Sequence, residues 1–132
     1  SARVGCSAVA LEGNPRRALI VGGCGSNRVK LNTTEVLDLG TMTFSRGPTM
    51  RTARCGCAAV PLGGDSRRCL VIGGMDDRYS NVNTTEVLDL ETMEFTGYGP
   101  AMLRERTGCA AVADDAGDRV LVLGGFGGSG EV

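Results

Sequence analysis

The chain has 132 residues, with 14 Lys and Arg against 15 Asp and Glu and a formal net charge of −1. Acids and bases are interspersed, so there is no basic field for nucleic acid and no acidic tail, and nucleic-acid binding is not expected. Histidine is absent, which removes the commonest neutral-pH proton carrier and the commonest metal ligand.

Along the chain the same elements return. Arg3-Val-Gly-Cys-Ser-Ala-Val9 opens a first repeat, Leu19-Ile-Val-Gly-Gly23 follows, and Thr33-Thr-Glu-Val-Leu-Asp-Leu39 completes its best-marked segments. Arg54-Cys-Gly-Cys-Ala-Ala-Val60, Leu70-Val-Ile-Gly-Gly74 and Thr84-Thr-Glu-Val-Leu-Asp-Leu90 repeat them. Arg106-Thr-Gly-Cys-Ala-Ala-Val112 and Leu121-Val-Leu-Gly-Gly125 begin a third copy. Gly22, Gly73 and Gly124 are spaced 51 residues apart each time. A fixed period of this size marks a repeat architecture in which each unit buries its apolar face on the next.

In the second copy, four short segments are bounded by turn residues. Cys57-Ala-Ala-Val-Pro-Leu62 is small and apolar and ends at Gly63-Gly64-Asp65. Cys69-Leu-Val-Ile72 is continuously apolar, as in a strand covered on both faces. Thr84–Leu90 alternates, placing Thr85, Val87 and Asp89 on one face and Glu86, Leu88 and Leu90 on the other. Met93-Glu-Phe-Thr96 follows the Glu91-Thr92 turn, and Gly99-Pro-Ala-Met102 leads back towards Arg106. No stretch has useful helical periodicity. Four antiparallel strands in a repeat of this length describe one propeller blade, and the fold class is all-β. The glycine pairs after each aliphatic run allow positive φ and close backbone approach.

No apolar run is long enough to span a bilayer, and the first residues do not form a signal sequence, so no membrane partner is expected. Cys6, Cys57 and Cys109 hold one repeat position, Cys69 aligns with Ala18 and Val120, and Cys24 aligns with Met75 and Phe126. Such exchange marks small hydrophobes. Cys55, two residues from Cys57, lies near the outer limit of disulfide reach. Paired clusters with zinc spacing are missing, so the expectation is reduced structural thiols, no metal, no cofactor and a cytoplasmic setting.

These residues resemble the kelch repeat, whose pattern is an Arg, a small-apolar strand, an aliphatic strand closed by two glycines, a Glu-Val-aromatic-Asp strand, and an aromatic after a Thr turn. Arg54, Ala58-Ala59-Val60, Leu70–Gly74, Glu86–Asp89, Thr92 and Phe95 fill those places in the second copy. Arg3, Ala8-Val9, Leu19–Gly23, Glu35–Asp38, Thr41 and Phe44 fill them in the first. Leu37 and Leu88 stand where the family has tyrosine, and Phe44 and Phe95 where it has tryptophan. The resemblance implies that these side chains pack between blades. It implies kelch-type blades over 3–53 and 54–105 and the first half of a third over 106–132, an incomplete ring of about two and a half blades. Further kelch blades, in cis or in trans, are expected to close it, and a longer propeller is favoured over assembly with copies of itself.

By the same resemblance, the loops after the double glycines share a face with the loops leading to the next Arg. The first class runs from Cys24 to Asn32 and from Met75 to Asn83, and it diverges most between the copies. Asn27, Arg28, Asp76, Asp77, Arg78 and Tyr79 are therefore candidate contacts for a protein or peptide partner, Arg and Tyr offering area with directional bonds. Related propellers can use an Arg at this place to hold an acidic peptide bidentately, so the resemblance makes Arg54 and Arg106 candidates as well. The competing reading pairs this recurring Arg with Glu35 or Glu86, or with loop carbonyls. Asn32 and Asn83 head Asn-Thr-Thr sequons but also suit a turn before a strand. A protein-interaction module without enzymatic activity is the leading expectation. The alternative is part of a kelch-type propeller enzyme, dependent on a metal or acting on sugars, with its catalytic residues in other blades.

Overall fold

A computed structural model describes residues 1–13, 16–64 and 67–127. It contains two four-stranded antiparallel sheets and one two-stranded sheet, which do not close into a ring. The first sheet is β1 (Ser7–Leu11), β2 (Arg17–Val21), β3 (Thr34–Asp38) and β4 (Thr43–Arg46), paired in sequence order. The second is β5 (Ala58–Leu62), β6 (Arg68–Ile72), β7 (Thr85–Asp89) and β8 (Glu94–Tyr98). In the third, β9 (Ala110–Ala113) pairs with β10 (Val120–Leu123), whose outer edge no described strand covers. These are blade-like sheets, stacked through their first strands: β1 packs on β5, and β5 on β9.

The alternation along each strand decides which neighbour it meets. Val9, Leu11, Leu19, Val21 and Val36 of the first sheet pack on Cys57, Cys69, Val71 and Leu88 of the second, with Phe95 at the margin. The opposite face of the second sheet, Ala58, Val60, Leu70 and Ile72, packs on Cys109, Ala111, Val120 and Val122. Hence Cys69–Ile72 is buried on both sides, as its unbroken apolarity requires. Each fully buried Leu or Val here contributes about 1.5–3 kcal/mol of hydrophobic stabilisation. The outermost faces have no such cover. Phe44 is 61 % exposed although its equivalent Phe95 packs in the first seam, and Leu121 is 59 % exposed.

The first two double glycines form part of the seams. Gly23 N–H donates to Arg54 O at 2.7 Å, and Gly74 N–H donates to Arg106 O at 2.7 Å. Gly22 and Gly73 both have φ +63, and a Cβ on either would collide with that same carbonyl. Nearer the middle of the stack, Gly56 N–H donates to Gly5 O and Gly108 N–H donates to Gly56 O, both at 2.8 Å. The repeat is not quite periodic: Arg54 − Arg3 is 51 residues, and Arg106 − Arg54 is 52. A β-bulge accounts for the extra one, because β7–β8 pairing passes from Val87↔Gly97 to Leu88↔Phe95 and leaves Thr96 unpaired.

Candidate functional site

The two loops after the double glycines are short, internally bonded hairpins. In the first, Cys24 pairs with Lys30, Gly25 N–H donates to Val29 O at 2.9 Å, and Ser26–Arg28 form a tight turn. In the second, Met75 pairs with Asn81, and Asp76 N–H donates to Ser80 O at 2.9 Å. The Asp76 carboxylate is directed into its own loop, where Oδ1 accepts from Ser80 N at 2.9 Å and Arg78 N at 3.0 Å. Asp77, Arg78, Asn27 and Arg28 are exposed, and Tyr79 is 62 % exposed.

Backbone strain falls on these tips, as it does on Met42 and Met93 in the opposite turns and on Arg67. Asn27, Arg28 and Tyr79 have φ of 57, 61 and 61, in the left-handed region that costs a non-glycine residue about 1–2 kcal/mol. Arg28 and Tyr79 occupy equivalent places in the two repeats, so both hairpins turn at the same point. Such strain persists only where surrounding structure imposes it. A second link was not visible in the sequence. Lys30 Nζ, from the first blade, lies 3.7 Å from the centre of the Tyr79 ring in the second. Its ammonium also donates to Arg28 O at 3.2 Å, and the residue is only 9 % exposed. The cation–π contact makes one surface of the two hairpins. At the place equivalent to Lys30, Asn81 has a buried Oδ1 without a hydrogen-bond partner.

The loops leading to each Arg lie beside these hairpins. Met50 N–H donates to Asn32 O at 2.8 Å, and Asn32 Nδ2 donates back to Met50 O at 3.3 Å. Asn83 and Met102 repeat the exchange at 2.8 and 3.2 Å. The sequon asparagines thus tie one loop to the next.

Arg54 is turned into the protein. It is fully buried, its Nε donates to Glu86 Oε2 at 2.9 Å, and Nη1 donates to Gly73 O and Thr84 O at 2.8 and 3.0 Å. Glu86, also fully buried, accepts Arg51 N–H at 2.6 Å and Thr52 N–H at 3.3 Å. The guanidinium therefore fastens the blade to the incoming linker and has no donor face towards solvent. Arg106 is half-buried and donates to Gly124 O at 2.8 Å, the same bond within its own repeat.

Burial pushes the Cys57 and Cys69 thiols up to about 12. Cys57 lies 3.9 Å from Val21 O, whereas Cys55 faces Val4 O at 3.7 Å, so these two neighbours serve different surroundings. Among the described residues, no three of His, Cys, Asp and Glu gather closely enough to hold a metal ion.

No family model matches the chain. It is 29 % identical over 125 residues to an F-box/kelch-repeat protein of Arabidopsis thaliana, an alignment covering 92 % of this chain. The homology to that protein is distant, and the four-stranded antiparallel sheets are consistent with kelch blades. The chain spans 29 % of that relative's length. The contacts of Arg54, Glu86 and the Gly22-Gly23 and Gly73-Gly74 pairs absorb the recurring residues into the sheets and their seams, which leaves the divergent hairpin tips as the candidate surface.

Proposed function

We propose that this kelch segment is a protein-interaction module whose contact surface is formed by the two hairpin tips, with Arg28, Asp77, Arg78 and Tyr79 as the touching side chains and Asn27 shaping the first turn. The Lys30–Tyr79 contact carries the reading, because it joins hairpins of successive blades into one surface on a rigid frame. Tyr and Arg on such a surface are the residue types that anchor protein interfaces. The uncovered faces of the first and third sheets are seats for further kelch blades in the same polypeptide. Val112, Leu121 and Leu123 on one of them, at 53, 59 and 50 % exposure, repeat the positions that Val9, Leu19 and Val21 use in the first seam.

The test is affinity purification from cell extract with three forms of the chain: wild type, Arg28→Glu/Tyr79→Ala, and a control altered at the opposite turns, Thr41→Glu/Thr92→Glu. The expected result is a saturable protein partner held by the wild type and the control and lost by the hairpin variant. Equal retention by all three forms would place recognition elsewhere.

A further inference from the structure

One carbonyl near the stacking axis gathers two cysteines from different blades. Val4 and Cys24 exchange both backbone bonds, Val4 N–H to Cys24 O at 2.9 Å and Cys24 N–H to Val4 O at 2.7 Å. Cys55 Sγ approaches the same Val4 oxygen at 3.7 Å, and its thiol also interacts with that of Cys24. A glycine makes room for the sulfur, since a Cβ on Gly5 would stand 2.9 Å from Cys55 Sγ. The next seam repeats the frame without thiols at either place. Thr107 replaces Cys55 and donates Oγ1 to Cys55 O at 3.1 Å, while Met75 replaces Cys24. The frame therefore does not need cysteine, and of the two seams among the described residues only the first places two thiols there.

We propose that Cys24 and Cys55 form a reversible thiol–disulfide site that covalently joins the first blade to the second in the presence of a low-molecular-weight disulfide. Both residues are half-buried, and their thiols interact with each other. In the proposed reaction Cys24 attacks first and Cys55 resolves, its proton held by burial and by the Cys24 thiol, which raise its pKa to about 11. The Cys24 thiolate attacks one sulfur of oxidised glutathione, the S–S bond breaks, and one glutathione leaves as thiolate with Cys24 in a mixed disulfide. That thiolate or solvent takes the Cys55 proton. Cys55 sulfur then attacks Cys24 sulfur and expels the second glutathione. Two protein thiols are oxidised to one disulfide, and one glutathione disulfide is reduced to two thiols.

The test equilibrates the full chain in oxidised and reduced glutathione of varied ratio, quenches it by alkylation, and reads intact mass and non-reduced peptide maps. The expected result is loss of two thiols, a Cys24–Cys55 peptide, and reversal by reduced glutathione. Cys55→Ser should stop at one glutathione on Cys24, and Cys24→Ser should lose the inter-blade crosslink. Protection of Cys57 and Cys69 from alkylation in each variant reports that the seam is still folded. A crosslink through Cys6, separate glutathione adducts on Cys24 and Cys55 in the wild type, or no reaction at any ratio would each overturn the proposal.

Discussion

Replacing Arg54 with Met removes the cation from a carboxylate that has no exposure. Glu86 would keep its two backbone donors, Arg51 N–H and Thr52 N–H, but lose the 2.9 Å bond from Nε. Gly73 O would lose the guanidinium as a donor at the same time. Breaking a buried pair on one side costs about 3–5 kcal/mol, because the remaining charge stays desolvated. The repeat supplies its own control. Arg3 donates to Gly22 O and Thr33 O at 2.8 and 3.0 Å, as Arg54 does to Gly73 and Thr84, but its Glu35 partner lies at 3.5 Å with a side chain 21 % exposed. Arg3→Met should cost only about 1–2 kcal/mol, because the Glu35 carboxylate it leaves behind still reaches water and the buried Arg3 Nε that is removed has no hydrogen-bond partner. The difference of roughly 2–3 kcal/mol corresponds to about 1 M in urea midpoint for an m-value of about 2 kcal/mol/M. Urea titration followed by circular dichroism, with alkylation of Cys57 and Cys69 as a second probe, measures both variants. Arg54→Met/Glu86→Leu should recover part of the loss, and only part, because the Arg51 and Thr52 amides then lack their acceptor. Equal losses at Arg3 and Arg54, or a double variant weaker than Arg54→Met, would refute the reasoning.

The glycine series gives a second contrast. Gly73→Ala puts a Cβ 2.5 Å from Arg106 O at φ +63, whereas Gly124→Ala at φ +64 meets nothing within 4 Å. The latter should cost only the left-handed backbone, about 1–2 kcal/mol, and the former clearly more by urea midpoint; equal costs would mean that the seam yields freely. Acid sensitivity follows from the turns. Asp38 accepts Thr41 N–H and Gly40 N–H, Asp89 accepts Thr92 N–H and Glu91 N–H, and these bonds hold both carboxyls below the ordinary 3.8. The native state thus favours the carboxylate, so this stabilisation is complete above the ordinary value and is lost as pH falls below it through the folded values. Urea midpoints should be flat above about pH 5 and fall below about pH 4. Asp38→Asn/Asp89→Asn should lower the plateau and flatten the acid limb, and an unchanged limb would remove these turns from the account.

The blades were legible because their determinants are local: the Gly-Gly pairs, the apolar run Cys69–Ile72 and the alternation of Thr84–Leu90 each act within one strand and its nearest turn. The 52-residue step between Arg54 and Arg106 even carried the trace of the Thr96 bulge. The role of Arg54 was left between two readings because recurrence does not report burial. What encloses its partner Glu86 is the linker at Arg51 and Thr52, 35 and 34 residues away in the chain. The candidate surface was legible only as divergence. Positive φ at Asn27, Arg28 and Tyr79 had no glycine to announce it, and Lys30 meets Tyr79 only once two blades stack. Cys55 was weighed against its neighbour Cys57, whereas its thiol faces across the seam to Cys24.

The relay from Gly5 O to Gly56 N–H and from Gly56 O to Gly108 N–H gives the stack an arrow. In this relay the middle unit offers an acceptor to the following one and a donor to the one before, while the Gly23 and Gly74 amides donate in the opposite sense, so the two sides of a unit present different groups and are not interchangeable. Within that constraint the units are modular. Because successive junctions use the same groups, duplication or deletion of one whole repeat in the gene would regenerate a competent junction, whereas loss of half a repeat would not. Such a protein can change its number of blades in a single genetic step while the residues that join them stay the same.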